Sequence, residues 1–166
     1  MSRRKRKTRR DERSELPPTR RRFLNDIDER NYVYKKACYW LYERCDRPRA
    51  TYFAKRLEAF LSKDMDGSIM YQMYRAVIAE NRKRYGVAKR FRSRAMDRIR
   101  RSIDITPRQQ MSTHPALAKA LRSLIRENCE RLRSLHLRLG ERADAAQVNR
   151  RAAELRSLVR SAVSKT

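Results

Sequence analysis

The arginine side chains that follow residue 86 are the groups of this sequence best suited to act on a partner. Arg90, Arg94 and Arg101 are spaced by 4 and 7 residues, so they share one face of a helix, and Arg98 lies beside them. A guanidinium is a planar fork of N–H donors that grips phosphate with two hydrogen bonds and stacks on bases. Like charges at this spacing repel one another, and a bound phosphate backbone would reverse that cost. We interpret this face as a surface for a polyanion.

Similar clusters of cations recur elsewhere in the chain. One forms a basic arm at the start, one precedes Gly86, one forms a stripe on a long helix after Pro115, and Arg150, Arg151, Arg156 and Arg160 populate the last helix. The residues predicted to bind nucleic acid are Arg3, Arg4, Lys5, Arg6, Arg9, Arg10, Arg82, Lys83, Arg84, Lys89, Arg90, Arg92, Arg94, Arg98, Arg101, Lys119, Arg122, Arg126 and Arg133. Tyr74 and Tyr85, beside the basic runs, are the candidates for stacking on unpaired bases.

Metal ligands and cofactors are not expected. Cys38 and Cys45 are seven residues apart, as are Cys129 and His136. Two helical turns separate such a pair by about 10 Å, whereas each ligand must reach zinc at about 2.0–2.3 Å. We therefore expect buried, reduced thiols, and an odd number of cysteines also fits a reducing compartment.

The segment 62–69 resembles a degenerate EF-hand loop. Gly67 stands at the turn position of that motif, but the two end ligands are replaced by Ser62 and Met73. We expect an ordinary interhelical turn there. Nothing near His114 or His136 resembles a nucleophile with its base, and the three glycines form no phosphate loop. The sequence therefore predicts a protein that is not an enzyme.

The charge of the chain is concentrated in blocks. Of 166 residues, 44 are Lys or Arg and 19 are Asp or Glu, a formal charge of +25. By segment the net charge is +8 over 1–22, +1 over 23–74, +9 over 75–101 and +7 over 115–166. Because so large a positive charge destabilises a compact protein through self-repulsion, we expect a polyanion or an acidic partner. An Arg-coding bias in a GC-rich genome would produce the same excess of 34 Arg over 10 Lys, so that ratio alone does not decide the partner.

The first 22 residues have almost no apolar side chains, so we expect a disordered arm. The acidic residues of this arm are not expected in a mitochondrial presequence. No apolar stretch of the sequence has the length of a secretory signal or a membrane span. We expect a soluble, intracellular protein that does not bind membranes, cytoplasmic or, in a eukaryote, nuclear.

Helical periodicity begins at about residue 25. The first helix should end near Pro48, a second should end before Gly67, Ser68 should cap a third, and Gly86 should end or kink it. The expected inward positions are Ile27, Tyr34, Cys38, Leu41 and Cys45, then Phe53, Leu57, Phe60 and Leu61, then Ile69, Met70, Met73, Val77 and Ile78, and finally Val87, Phe91, Ala95, Ile99 and Ile103 on a fourth helix. Tyr32, Tyr39, Trp40 and Tyr42 spread beyond one face of the first helix, which indicates a protein partner or self-association.

The last third of the chain predicts two packed helices. Thr106-Pro107-Arg108-Gln109 is typical of a helix start, and a long helix follows Pro115 and closes at Gly140. Its seam is Ala118, Leu121, Ile125, Asn128, Leu132, Leu135 and Leu139, and that of the last helix is Ala145, Val148, Ala152, Leu155, Val159 and Ala162. We expect an antiparallel hairpin. Asn128 either fixes the register of the seam or faces outward at its edge.

The predicted fold is all-α, a bundle of about five to six helices with the arm 1–22 and a single domain 23–166, divided into 23–105 and 106–166. The predicted function is a small non-catalytic nucleic-acid-binding subunit that favours RNA within a ribonucleoprotein and docks on a protein or itself through its Tyr-rich, near-neutral first half. Two alternatives remain. One is an architectural DNA-binding protein, and the other is a helical assembly protein that binds an acidic protein.

Overall fold

A computed structural model describes residues 25–61, 67–106 and 108–163. Every regular element in these ranges is helical, and none is a strand. Helix α1 (Asp26–Cys38) continues into a π-helical segment (Tyr39–Glu43), followed by α2 (Arg47–Ala59), α3 (Ile69–Asn81), α4 (Tyr85–Ile105), α5 (Arg108–Thr113), α6 (Pro115–Arg138) and α7 (Arg142–Val163). The all-α prediction is confirmed for this part of the chain. The basic arm and residues 62–66 of the EF-hand-like segment lie outside the described residues.

Side chains just outside the helices cap their first turns. The Asn25 Oδ1 atom accepts a hydrogen bond from the Asp28 backbone N–H at 2.9 Å, and the Ser68 Oγ atom accepts one from the Tyr71 N–H at 3.0 Å. Each bond satisfies a backbone donor that has no partner within the helix. The predicted cap at Ser68 is therefore confirmed.

The boundary between the first two helices differs from the prediction. The π-helical segment ends at Glu43, where the Arg44 N–H donates to the Tyr39 carbonyl at 3.0 Å. Pro48 does not terminate the first helix but lies in the first turn of α2. A proline fits there because the first N–H groups of a helix have no partner within it.

The buried apolar side chains form two main clusters. The first is built by α1, α2 and α3 and includes Val33, Phe53, Leu57, Met73 and Val77. The second is built by α4 to α7 and includes Ile99, Met111, Ile125, Leu132, Leu155 and Val159. Helix α4 joins the two, because Ala95 belongs to the first cluster and its neighbour Met96 to the second.

The predicted inward positions are confirmed most fully in α6 and α7. All of them are buried except Leu139, which is 39% exposed at the end of α6. In α4 the buried stripe begins at Ala88 and Arg92 instead of the predicted Val87 and Phe91. A strict spacing of four residues drifts by about 40° per step around a helix, so the predicted stripe meets the buried face only from Ala95 onward. Ile27 is 65% exposed, so its prediction is wrong.

The turns follow the glycines only in part. Gly140 has a φ of +80° and follows the end of α6, as predicted. Gly86 instead lies inside the first turn of α4, and the turn that follows α3 is made by Lys83 at a φ of +59°. No helix among the described residues is both long and apolar enough to cross a membrane.

Candidate nucleic-acid interface

Accessible cations from two helices meet in a groove between α6 and α7. The groove has a volume of about 580 Å³. Helix α6 contributes Lys119, Arg122, Ser123 and Arg126, and α7 contributes Ala153, Arg156 and Arg160. Five of these seven residues are cations and none is acidic. We call this site the α6–α7 groove.

Helical phase explains why these residues meet. Each of Lys119, Arg122 and Arg126 directly follows a buried seam residue of α6, and Arg156 and Arg160 follow buried residues of α7 in the same way. One residue further along a helix is about 100° further round its axis. The two cationic rows therefore flank the two apolar seams, and the packing of α6 on α7 brings them to one groove.

The three α6 cations of the groove have no acidic partner in the part of the chain that the structure describes. Among residues 25–61, 67–106 and 108–163, no carboxylate forms an ion pair with Lys119, Arg122 or Arg126. Two carboxylates of the same helices have other partners: Glu127 accepts a hydrogen bond from the Tyr34 hydroxyl, and Glu154 accepts one from Arg100 at 2.7 Å. These three cations can therefore meet an incoming anion without first breaking an ion pair.

A second basic surface surrounds the turn between α3 and α4. It comprises the predicted residues Lys83, Arg84, Tyr85, Lys89 and Arg90. This surface is partly neutralised, because Lys89 donates to the two carboxylate oxygens of Glu141 at 2.6 and 2.8 Å. The same contact, with a smaller contribution from His136, holds the pKa of the Glu141 carboxyl below its usual value.

Arg82, just before that turn, is likewise engaged by an acid. Its Nη2 atom lies 2.5 Å from the Glu58 carboxylate. Both Arg82 and Lys89 would have to exchange a carboxylate for a phosphate in order to bind nucleic acid. They are for this reason weaker candidates than the cations of the α6–α7 groove.

Arg92 is wrongly placed in the predicted surface, because its side chain is fully buried. It lies on the buried stripe of α4 with Ala88, Ala95 and Ile99. Its Nη1 atom donates to Asn128 Oδ1 at 3.3 Å. No nucleic acid can reach a side chain in this position without unfolding the protein around it.

Two phenols accept further hydrogen bonds from Arg92. Nη1 also donates to the Tyr34 hydroxyl at 3.4 Å, and Nη2 donates to the Tyr42 hydroxyl at 3.2 Å. Burial raises the pKa of both phenols well above the usual value, so they remain protonated. Tyr34 was predicted to be a core residue, and this is confirmed.

Two carboxylates balance the buried charge. Glu80 Oε1 lies 3.6 Å from Arg92 Nε, and Glu127 Oε1 lies 3.9 Å from Arg92 Nη1. Burial raises the pKa of the Glu80 carboxyl, and the charge of Arg92 opposes that rise. Asn128 is fully buried and also donates to the Leu124 carbonyl at 3.0 Å, so the interpretation that it faces outward is wrong. It is a ligand of the buried arginine.

The remaining predicted residues divide by exposure. Tyr74 is only 1% exposed and packs on Tyr34 with the ring centroids 5.3 Å apart, so it cannot stack on a base. Tyr85 is partly exposed and lies under the guanidinium of Arg138 at 4.7 Å. Four more predicted cations of α4 and α6 are exposed or half-buried but do not line the α6–α7 groove; they are Arg94, Arg98, Arg101 and Arg133. The predicted residues Arg3, Arg4, Lys5, Arg6, Arg9 and Arg10 lie outside the described residues.

Two groove residues were left out of the predicted site. Arg156 and Arg160 were recognised as cations of the last helix but were not selected. The signal that identifies them is their position one residue after the seam residues Leu155 and Val159. That rule also selects the three groove cations of α6.

The cysteines and the acidic cluster show no further chemistry. Cys129 is buried as expected, but Cys45 is exposed. Burial of the Cys38 thiol raises its pKa to about 12, so this cysteine stays a thiol and is unreactive.

His136, Glu141 and Asp144 place ligand atoms within 4.8 Å of one another, a grouping that their spacing in the sequence does not indicate. Glu141 is already engaged by Lys89.

Comparison with known proteins adds no family to these observations. No protein-family model, no curated protein and no solved structure matches this chain.

Proposed function

We propose that this protein is a small non-catalytic nucleic-acid-binding subunit, one that favours RNA and works within a ribonucleoprotein, and that the α6–α7 groove holds the phosphates. The observation that carries the proposal is a groove of about 580 Å³ with five cations and no acid among its lining residues. Lys119, Arg122 and Arg126, which form no ion pair with a described residue, favour binding because phosphates release their counterions when Lys and Arg replace them.

The dimensions of the groove suit a phosphate backbone. Lys119 and Arg126 are seven residues apart on α6, which corresponds to about 10 Å along the helix axis. A nucleic-acid strand in a duplex carries one phosphate per about 3.4 Å of axis, so this row alone can meet more than one phosphate. The small residues Ser123 and Ala153 leave room between the two rows.

The proposal includes an antiparallel arrangement of α6 and α7. The connection between them is only three residues long. Cys129, in the middle of α6, has its Sγ atom 3.9 Å from the Val148 carbonyl oxygen on α7. Both facts support a hairpin in which the cationic rows lie side by side.

The basic arm and the second basic surface would extend the contact beyond the groove. Cations placed on several elements suit the irregular surface of a folded RNA better than the regular groove of duplex DNA. The near-neutral first half would serve as the surface for a protein partner or a second copy. Its aromatic side chains Tyr32 and Tyr39 are partly exposed, with Lys36 over both rings, whereas Trp40 is buried.

Filter binding of the full chain to a stem-loop RNA over a range of salt concentrations tests the proposal. We expect affinity to fall steeply with salt, and the double variant Arg122→Ala/Arg126→Ala to bind more weakly with a salt slope reduced by about 2, or about 1 for each phosphate contact removed. The matched control is Lys35→Ala/Lys55→Ala. It removes the same charge from exposed positions in the near-neutral first half and should leave the slope unchanged.

Three results would contradict this proposal. Equal slopes for the two double variants would show that the groove is not the binding site. A preference for duplex DNA in competition would favour the architectural DNA-binding protein. Absence of any binding to nucleic acid, together with binding to an acidic protein, would favour the helical assembly protein.

A further inference from the structure

A second cavity, separate from the α6–α7 groove, lies beside the π-helical segment. It has a volume of about 280 Å³ and lies among the π-helical segment, the starts of α2 and α4, the end of α3 and the second half of α6. Its polar walls include three arginines, two tyrosines and one carboxylate: Arg47, Arg131, Arg138, Tyr42, Tyr85 and Glu80. It shares no lining residue with the groove. We call it the π-segment pocket.

Two guanidiniums of the π-segment pocket lie over aromatic rings. The Cζ atom of Arg131 lies 3.7 Å from the ring centroid of Tyr42, and that of Arg138 lies 4.7 Å from the ring centroid of Tyr85. Neither guanidinium donates a hydrogen bond to, or forms an ion pair with, any residue in the described ranges. Stacking therefore fixes the position of these groups while their N–H edges stay available to an anion.

The third guanidinium is anchored in a way that preserves donors. Arg47 uses Nη1 to donate to the Asn81 carbonyl at 3.2 Å. The carboxylate of the pocket, Glu80, is only 7% exposed and lies 3.6 Å from the buried Arg92. Glu80 interacts with Arg92 and also with Arg131, so the lining of the pocket sets three arginines against one carboxylate that also serves Arg92 and keeps an excess of positive charge.

The backbone at this pocket is irregular in two places. The wall residues Leu41 and Tyr42 belong to the π-helical segment, and Cys45 has a φ of +52°. A π-helical turn and a non-glycine residue in the left-handed region both cost conformational energy, and both occur preferentially at functional sites. These features are independent of the charge and lie on the same cavity.

From these observations we propose that the π-segment pocket binds a nucleotide, with its phosphate on the guanidiniums of Arg131, Arg138 and Arg47 and its base against the stacked walls. The cavity of about 280 Å³ equals the volume of about nine water molecules at ~30 Å³ each, so a phosphate of five heavy atoms would leave part of it unfilled. Aromatic and guanidinium faces are suitable walls for a planar base. A free nucleotide and the terminal nucleotide of a strand offer the same chemistry.

Isothermal titration calorimetry of the full chain tests this proposal. The probes are the four ribonucleoside 5′-monophosphates, inorganic phosphate, adenosine, and one short oligonucleotide with and without a 5′-phosphate. We expect at least one mononucleotide to bind more tightly than phosphate or adenosine. Tighter binding of the phosphorylated than of the unphosphorylated oligonucleotide would identify a strand end as the source, and equal binding would identify the free nucleotide.

The variants Arg131→Met and Arg138→Met should each weaken mononucleotide binding about tenfold or more, since a hydrogen bond to a charged group contributes about 1.5–3 kcal/mol. Arg133→Met is the matched control, because it removes the same charge from an exposed position of the same helix that does not line the pocket. The groove variant Arg122→Ala/Arg126→Ala should bind mononucleotides normally, which separates this site from the proposed RNA-binding groove.

Absence of mononucleotide binding at millimolar concentration would overturn the proposal, and so would an equal loss in Arg133→Met. Inorganic phosphate that binds as tightly as every mononucleotide would overturn the assignment of a nucleotide. Circular dichroism of each variant checks folding. If Arg131→Met does not fold, Arg138→Met decides the outcome, because Arg138 is exposed and its loss leaves no buried group without a partner.

Discussion

Arg92 and Arg122 carry the same guanidinium on two helices that pack together, α4 and α6, yet their surroundings are opposite. Arg92 is fully buried, close to two carboxylates, two phenols and an amide. Arg122 is exposed in a groove whose lining residues include no acid. The difference arises from helical phase, since Arg92 occupies a position on the buried stripe and Arg122 follows such a position by one residue.

The physical lesson concerns where a charge is free to bind a partner. A buried charge is tolerated only when other groups of the protein compensate it, so most of its interactions are made within the fold. An exposed charge is satisfied by water and counterions, which a phosphate displaces. The number of arginines in a helix therefore says little about binding until their phase relative to the core is known.

The largest effect should come from Arg92→Ala. Removal of this side chain leaves Glu80 and Glu127 without their cation in or near the core, and breaking a buried pair in this way costs about 3–5 kcal/mol. Urea denaturation followed by circular dichroism measures the change in free energy of unfolding. Arg122→Ala is the control and should remain within about 0.5 kcal/mol of the unchanged protein. Equal destabilisation by the two variants would contradict the distinction between a buried, compensated Arg92 and an exposed Arg122.

A smaller loss should follow Asn128→Leu. The leucine fits an apolar seam position, but Arg92 Nη1 loses an acceptor at 3.3 Å. A buried donor left without a partner costs about 1–3 kcal/mol. The same denaturation experiment measures it, with Ser123→Leu as an exposed control on α6. A stabilised Asn128→Leu protein would show that the amide is not a necessary ligand of Arg92.

The exposed arginine should respond in the opposite direction. Arg122→Glu converts the repulsion between Arg122 and Arg126 into an attraction at a spacing of four residues, so it should stabilise the free protein by about 0.2–0.5 kcal/mol. The same variant should bind RNA more weakly than Arg122→Ala. A loss of stability with Arg122→Glu would show that repulsion between Arg122 and Arg126 does not destabilise the free protein.

The smallest effect should come from the ion pair between Lys89 and Glu141, both partly exposed. Its contact with Lys89 lowers the pKa of Glu141 in the folded state, so the contribution to stability is present above the usual value of 4.5 and disappears as the pH falls through the folded pKa. Lys89→Met should therefore lower the melting temperature slightly at neutral pH and leave it unchanged in strong acid. A shift that persists in strong acid would contradict this assignment.

Much of the fold could be predicted because packed helices require apolar residues at a regular spacing in the sequence. The seams of α6 and α7 were correct since each alternates steps of three and four residues and so follows the 3.6-residue turn. The predicted stripe of α4 has steps of four throughout, so it drifts around the helix and is wrong at its start. The π-helical segment could not be predicted, because nothing in Tyr39–Glu43 distinguishes it from the helix that it continues.

The sequence predicts that the candidate site consists of cations, but it does not identify which residues line the groove. Lys119, Arg122 and Arg126 are accessible in the structure, whereas Arg92 and Tyr74 are buried. Arg156 and Arg160 follow predicted seam residues by one position, a signal that the charge spacing used to choose the site does not include. Charge spacing within one helix contains no information about the neighbouring helix.

The sequence by itself determined the helical class, the three basic blocks and the apolar seams, because each depends on residues close together in the chain. Only the tertiary structure decided which cations share the α6–α7 groove, which arginine is buried, and which three guanidiniums meet at the π-segment pocket. The physical reason is distance along the chain: Arg92 meets Tyr34 and Asn128 across 58 and 36 residues, and only the packing of the helices brings such groups together.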